Sequence, residues 1–121
     1  VAAVFINRMR IGMPLQSDPT TIYGIYAATG ELKQSLTTRD LEQKTPYNTY
    51  VIGSLPPGPI CHPGTDSIEA VFNPANTKEL YFVADGKGGH IFAETLDEHN
   101  NNVLKYKSFL REQRLRATQS R

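Results

Sequence analysis

The chain has 121 residues, of which 39% are apolar and 21% charged, and its formal net charge is +1. This describes one ordinary folded domain or part of one, with enough apolar chain for a modest core. The near-neutral balance supplies no overall field for nucleic acid or anionic lipid, and no apolar run approaches the roughly 20 residues of a membrane span. No signal peptide is visible.

Residues 1 to 11 read as the later part of an amphipathic helix with Val1, Val4, Phe5, Met9 and Ile11 on its apolar face, ended by Gly12 and Pro14. No capping residue precedes that pattern, so the expectation is a chain truncated at its start. Thr20 to Ala28 is apolar and aromatic and fits helix or strand, with a turn at Gly30. Thr37 or Thr38 can cap a short helix through Leu41, with Asp40 favourably placed in its first turn. Leu55 to Gly64 is a Pro- and Gly-rich ordered loop, because apolar and aromatic residues flank it closely. Thr65 or Asp66 is expected to cap a helix over Ser67 to Phe72 that Pro74 stops. Leu80 to Ala84 and His90 to Glu94 form a hairpin across the turn Asp85-Gly86-Lys87-Gly88-Gly89. From Leu96 a last helix turns Val103, Leu104, Tyr106, Phe109 and Leu110 towards a core, and 111–121 reads as a frayed basic tail. Helices with a small antiparallel sheet give the class α+β, short helices packed on a hairpin beside a long Pro-rich loop.

The densest chemistry lies in Tyr47-Asn48-Thr49-Tyr50 and the following Gly53-Ser54-Leu55-Pro56-Pro57-Gly58-Pro59-Ile60. Tyrosine rings offer flat apolar faces, the hydroxyls and the amide offer hydrogen bonds, and proline holds its backbone in shape at little cost. That combination suits a polar ring such as a sugar; a surface connector with two half-buried tyrosines uses the same residues. Gln16 and Asn48 either meet an N-acetyl group or hydroxyl, or satisfy buried loop backbone. Tyr47 and Tyr50 stack on a sugar or bond near the reacting oxygen, with one of the pair in the core.

Asp18, before Pro19-Thr20, either fixes a turn or caps a helix, positions substrate, or, as the weakest option, serves as an acid. His90, following two glycines on the second strand, is a candidate substrate contact, but a lone strand histidine also serves as a hydrogen-bonded structural residue. His99 reads as capping or packing. Glu69, Glu94, Asp97 and Glu98 read as solvated. The single Cys61 has no disulfide partner, and Cys61-His62 is not a ligand set, so no metal is expected. Ser17, Ser54 and Ser67 lie in no nucleophile-elbow setting, and the Asp85 to Gly89 glycines serve a hairpin turn rather than a phosphate loop.

Several blocks recur in a familiar order: Asn7-Arg8, Gly12-Met13-Pro14-Leu15-Gln16-Ser17-Asp18-Pro19-Thr20, the tyrosine segment, Tyr81-Phe82-Val83-Ala84, Gly88-Gly89-His90-Ile91-Phe92 and Glu98-His99-Asn100. From about Val4 to Tyr106 the chain resembles the catalytic domain of the YceG-like family, the membrane-anchored endolytic murein transglycosylases of bacteria. The resemblance implies cleavage of peptidoglycan between N-acetylmuramic acid and N-acetylglucosamine, leaving 1,6-anhydromuramic ends. In such chemistry the sugar's own 6-hydroxyl attacks, so one carboxyl group serves as acid and then base, with no cofactor. The family's glutamate acid falls upstream of Val1. The expectation is therefore no catalytic residue in this chain and no activity from it alone, with Asp18 only a weak substitute.

On their residue chemistry, Gln16, Asp18, Tyr47, Asn48, Tyr50 and His90 are the candidate substrate-binding residues, while the resemblance implies the partners and location. The partners are peptidoglycan glycan strands and the glycan-synthesising enzymes of the wall; nucleic acid is not among them. The location is the cytoplasmic membrane facing the wall, reached through an N-terminal anchor outside this chain. Cys61-His62 departs from the small or polar residues usual in that loop. One alternative is a non-catalytic glycan-binding module. Another is a pyridoxal-phosphate lyase, since relatives have carried an aminodeoxychorismate lyase label. That chemistry needs a Schiff-base lysine, and Lys33, Lys44, Lys78 and Lys87 all read as exposed.

Overall fold

In the computed structural model, which describes Val1–Gln119, seven elements follow in chain order. They are α1 (Ala2–Arg10), α2 (Asp18–Thr29), α3 (Thr38–Leu41), α4 (Thr65–Phe72), β1 (Tyr81–Ala84), β2 (His90–Ala93) and α5 (Leu96–Gln119). Helices with a two-stranded antiparallel sheet make the class α+β, as the sequence predicts. The chain divides into two units, Arg8–Pro74 and Val1–Asn7 with the chain from Ala75 onward.

The hairpin unit is built on the pairs Tyr81↔Ala93, Phe82↔Phe92, Val83↔Ile91 and Ala84↔His90. Asp85 closes the turn: its Oδ1 accepts the amides of Lys87 at 2.7 Å and Gly89 at 3.0 Å. Those bonds to the ionised form hold its carboxyl below the ordinary carboxylate range. Gly86 has φ +80°, and a side-chain carbon there would meet the Phe109 ring at 2.3 Å, so backbone geometry and packing both demand glycine.

Helix α5 packs on both strands. Its first turn is capped by the Thr95 hydroxyl, which accepts the Glu98 amide at 3.2 Å. Phe5 meets Phe82 edge to face at 5.7 Å, and Tyr81 stacks on His99 at 5.1 Å. Ala3, Val4 and Ala93 are buried. Asn7 ties the first helix to the approach of β1, donating to the carbonyls of Thr77 at 3.0 Å and Glu79 at 2.9 Å.

In the second unit the ambiguous segment is a helix, α2, starting at Asp18 and stopped by Gly30 at φ +75°, whose amide reaches the Tyr26 carbonyl at 2.7 Å. Helix α3 has a reciprocal capping box. The Thr37 hydroxyl accepts from the Asp40 amide at 3.1 Å, and the Asp40 carboxylate accepts from the Thr37 amide at 2.9 Å. The Pro-rich loop between Leu55 and Gly64 is irregular, with Pro56, Gly58 and Ile60 half-buried and their neighbours exposed.

Five expectations are corrected. Val1, Met9 and Ile11 are exposed, so the buried stripe of α1 narrows to Ala3 and Val4 with Phe5 half-buried. The residue before α4 is Gly64, without a side-chain cap; Thr65 and Asp66 stand inside its first turn. Leu104 is 62% exposed because it lies off the face of α5 that carries Val103, Tyr106, Phe109 and Leu110. Residues 111–119 are exposed but helical, continuing α5 rather than fraying; Ser120 and Arg121 lie outside the described residues. Lys33 is half-buried and ion-paired with Asp40 at 3.3 Å, while Lys44, Lys78 and Lys87 are exposed as expected.

Candidate functional site

Five of the six predicted site residues, all but His90, lie in the unit Arg8–Pro74, whose buried residues include a polar cluster beside Leu15 and Ile25. Thr20, Thr21, Asn48 and Thr49 are all buried there. The Asn48 side chain makes four hydrogen bonds. Its Oδ1 accepts from the Thr21 hydroxyl at 2.9 Å and the Tyr50 amide at 3.0 Å, and its Nδ2 donates to the carbonyls of Leu41 at 2.9 Å and Gln43 at 2.7 Å. This saturates the amide. Asn48 is 0% exposed, so its expected contact with a sugar gives way to the other reading, satisfaction of buried backbone.

Thr49 performs the matching task one residue on. Its hydroxyl accepts the Ser17 amide at 2.8 Å and shares a 2.7 Å bond with the Thr20 hydroxyl, and its carbonyl accepts the Gln16 amide at 3.3 Å. Together Asn48 and Thr49 staple the loop before Tyr50 to the start of α2. Buried β-branched threonines suit this because their methyl groups pack while their hydroxyls bond. Thr20, Thr21 and Thr49 are the functional supports the residue-by-residue reading missed. The available signal was the paired threonines directly after Asp18-Pro19.

On this frame stand the accessible groups. Gln16 is exposed and adopts φ +50°, the one positive φ outside glycine among the described residues. A non-glycine residue there costs about 1–2 kcal/mol, sustained by the two bonds from Thr49 to residues 16 and 17. Ser17, not Asp18, occupies the cap position of α2 and makes no side-chain cap bond. Asp18 is the first helical residue, where the helix dipole favours its negative charge. The Tyr50 hydroxyl donates to Asp18 Oδ1 at 2.5 Å. Burial, then the bond to Asp18 and its charge, push the Tyr50 phenol above its ordinary range; Arg8 opposes this.

Asp18 therefore stands as an acceptor in this pair, whereas a glycosidic acid must donate its proton to the bridging oxygen. Arg8, buried at 7% exposure, donates Nη1 to the Leu15 carbonyl at 2.7 Å and holds the turn leading to Gln16. Tyr47 is half-buried, edge-on to Tyr23 at 4.7 Å, with its hydroxyl beside Gly58. Both tyrosines are thus half-buried, and neither is fully in the core.

A cleft of about 380 Å³ lies in the same unit, lined by Met9, Met13, Leu15 and the Gly53–Leu55 loop. Its walls adjoin Gln16 and the tyrosine segment along the chain. A second, apolar groove of about 280 Å³ includes Tyr23, Tyr26, Ile60 and the exposed Cys61. His90 belongs to the other unit, exposed on β2 and edge-on to Phe82 at 5.5 Å. Among the described residues no His, Cys, Asp or Glu cluster could hold a metal, and no helix is long and apolar enough to cross a membrane.

Comparison with known proteins matches residues 1–105 to the YceG-like family. The chain is 45% identical over 106 residues to the endolytic murein transglycosylase of Bacillus subtilis strain 168, covering 88% of this chain and 28% of that protein. It is 36% identical over 112 residues to the endolytic murein transglycosylase of Streptococcus pneumoniae serotype 2, covering 88% of this chain and 20% of that one. Among solved structures, a yceG-like protein from Listeria monocytogenes superposes with a TM-score of 0.74 at 46% identity, covering 83% of this chain and 32% of the other. The chain thus spans under a third of the length of these relatives.

Proposed function

We propose a part in endolytic murein cleavage for this chain, which belongs to the YceG-like family. In this reading it supplies a substrate-positioning part of a peptidoglycan lytic transglycosylase. The larger enzyme cuts glycan strands between N-acetylmuramic acid and N-acetylglucosamine and leaves 1,6-anhydromuramic ends. The observation that carries the proposal is the edge formed by exposed Gln16 and Asp18 with half-buried Tyr50, mounted on a saturated Asn48–Thr49 frame.

A rigid edge of this kind suits a reaction whose nucleophile is part of the substrate. Once the muramic 6-hydroxyl is held over its own anomeric carbon, attack is intramolecular, and geometry replaces an activated water. Gln16 presents a donor and an acceptor that match an N-acetyl group. Asp18, already an acceptor for the Tyr50 hydroxyl, accepts hydrogen bonds from sugar hydroxyls. Tyr47 offers its ring as a stacking face. Asn48 acts by positioning Tyr50, and His90 stands as a further substrate contact on the hairpin. The general acid is a glutamate outside these 121 residues. The reaction needs no cofactor, and the site of action is the outer face of the cytoplasmic membrane, next to glycan synthesis.

Mass spectrometry of glycan strands treated with the full-length enzyme tests this. Asp18→Asn and Tyr50→Phe are expected to lower anhydromuramic product at least tenfold while the protein stays folded by circular dichroism. Undiminished product from both variants would refute the positioning role. Products with ordinary reducing ends would refute the transglycosylase chemistry itself.

A further inference from the structure

We propose that the second half of α5 is a docking surface for anionic phospholipid headgroups, formed by Lys107, Arg111 and Arg114 with Leu104 and Leu115 along one edge. Spacings of four and three residues place the three cations on one helical face, where together with Leu110 they line a shallow groove of about 220 Å³. Leu104 and Leu115, 62% and 56% exposed, flank that stripe at helical spacing. From Lys105 to Arg116 the helix carries Lys105, Lys107, Arg111, Arg114 and Arg116 against the single acid Glu112, which points to another face. Among the described residues none of the three stripe cations is ion-paired. The net charge of +1 for the whole chain conceals this local concentration.

Neither usual reason for helical cations accounts for the stripe. Like charges at i and i+4 repel, so Lys107 and Arg111 weaken the helix slightly rather than support it. The helix dipole favours cations only in the last turn, which Arg116 occupies; Lys107 and Arg111 lie before it. The family match ends at residue 105, so the three cations and Leu115 lie beyond the segment matched to the family, and Leu104 lies at its end.

The flanking leucines decide which phosphate carrier fits. On a soluble polyanion they remain in water, whereas at the headgroup boundary of a bilayer they are buried while the arginines meet phosphate. The helix lies on the surface and does not span it. Each cation near an anionic leaflet contributes about fivefold in partitioning, so three contribute roughly a hundredfold.

Vesicle co-sedimentation of the whole chain tests the proposal, comparing pure phosphatidylcholine with an equal mixture of phosphatidylcholine and phosphatidylglycerol. Binding is expected to the mixed vesicles only and to weaken steeply with salt. The triple variant Lys107→Gln, Arg111→Gln, Arg114→Gln is expected to lose it by about a hundredfold. Glutamine keeps the helix propensity, and circular dichroism confirms that the fold persists. Leu104→Gln with Leu115→Gln is expected to weaken binding while leaving all the charge in place. Equal binding to both vesicle types, or full binding by the triple variant, overturns the surface. Full binding by the leucine variant with complete competition by polyphosphate overturns the lipid assignment and makes a soluble polyanion the ligand.

Discussion

Gly24→Ala probes how closely α2 and the loop before Asn48 depend on each other. A carbon added at Gly24 would lie 2.1 Å from Thr45 Oγ1, 3.0 Å from its Cβ and 3.4 Å from its Cγ2. Helix propensity alone predicts a gain of about 1 kcal/mol for alanine in a helix interior. The contact opposes it: Thr45 must turn away, and its Oγ1 is the acceptor, at 3.2 Å, of the Asn48 amide. Overpacking costs about 1–3 kcal/mol and the lost bond about 1 more, so a net destabilisation of about 1–3 kcal/mol is expected. Urea unfolding followed by circular dichroism measures it as a lowered midpoint with unchanged slope. The double variant with Thr45→Ala should recover part of the loss, since Oγ1 and Cγ2 go while the 3.0 Å carbon contact remains. A Gly24→Ala protein as stable as the parent, or a double variant whose losses simply add, would refute the close-packing argument.

Asn48→Ala removes four hydrogen bonds at a fully buried position and leaves the carbonyls of Leu41 and Gln43 without that donor. The expected cost is about 3–5 kcal/mol, read from the same urea curves. Gln16→Gly relieves the positive φ and should raise stability by about 0.5–1 kcal/mol after glycine's extra unfolded freedom is counted, while weakening glycan binding in a calorimetric titration. A loss of stability there would show that the Gln16 side chain supports the fold. Asp40 is held below the ordinary carboxylate range, first by the Thr37 amide bond, with Lys33 adding to it against the effect of burial. A depressed folded-state value means its stabilisation is present above the unfolded value and is lost as pH falls below about 4. Asp40→Asn should therefore lie well below the parent at pH 7 and approach it in acid; a constant gap across that window would refute the linkage.

The two strands, the glycine-dependent turn between them, a helix capped at Thr37 or Thr38, the stop at Gly12 and the turn at Gly30 were all legible in the sequence. Each rests on local chemistry: alternation of apolar residues, positive φ at glycine, and side-chain capping by threonine act over a few neighbours and need no tertiary partner. The ordered blocks, read by resemblance, also marked the family before any geometry was known. Local rules did not separate helix from strand at Thr20 to Ala28, because periodicity alone cannot arbitrate a short apolar run.

Only the tertiary structure decided the parts played by Asn48, Thr49 and Tyr50, and the physical reason is separation along the chain. The bonds that consume the Asn48 amide reach back to Thr21, Leu41 and Gln43, and the Tyr50 hydroxyl finds Asp18 32 residues away. An asparagine that binds a sugar and one that staples a buried loop are the same letters, and folding alone sets which partners reach the amide. The exposure of Leu104 is decided in the same way. The packing of one helix face on the hairpin leaves the stripe beside it, with Lys107, Arg111 and Arg114, turned to solvent.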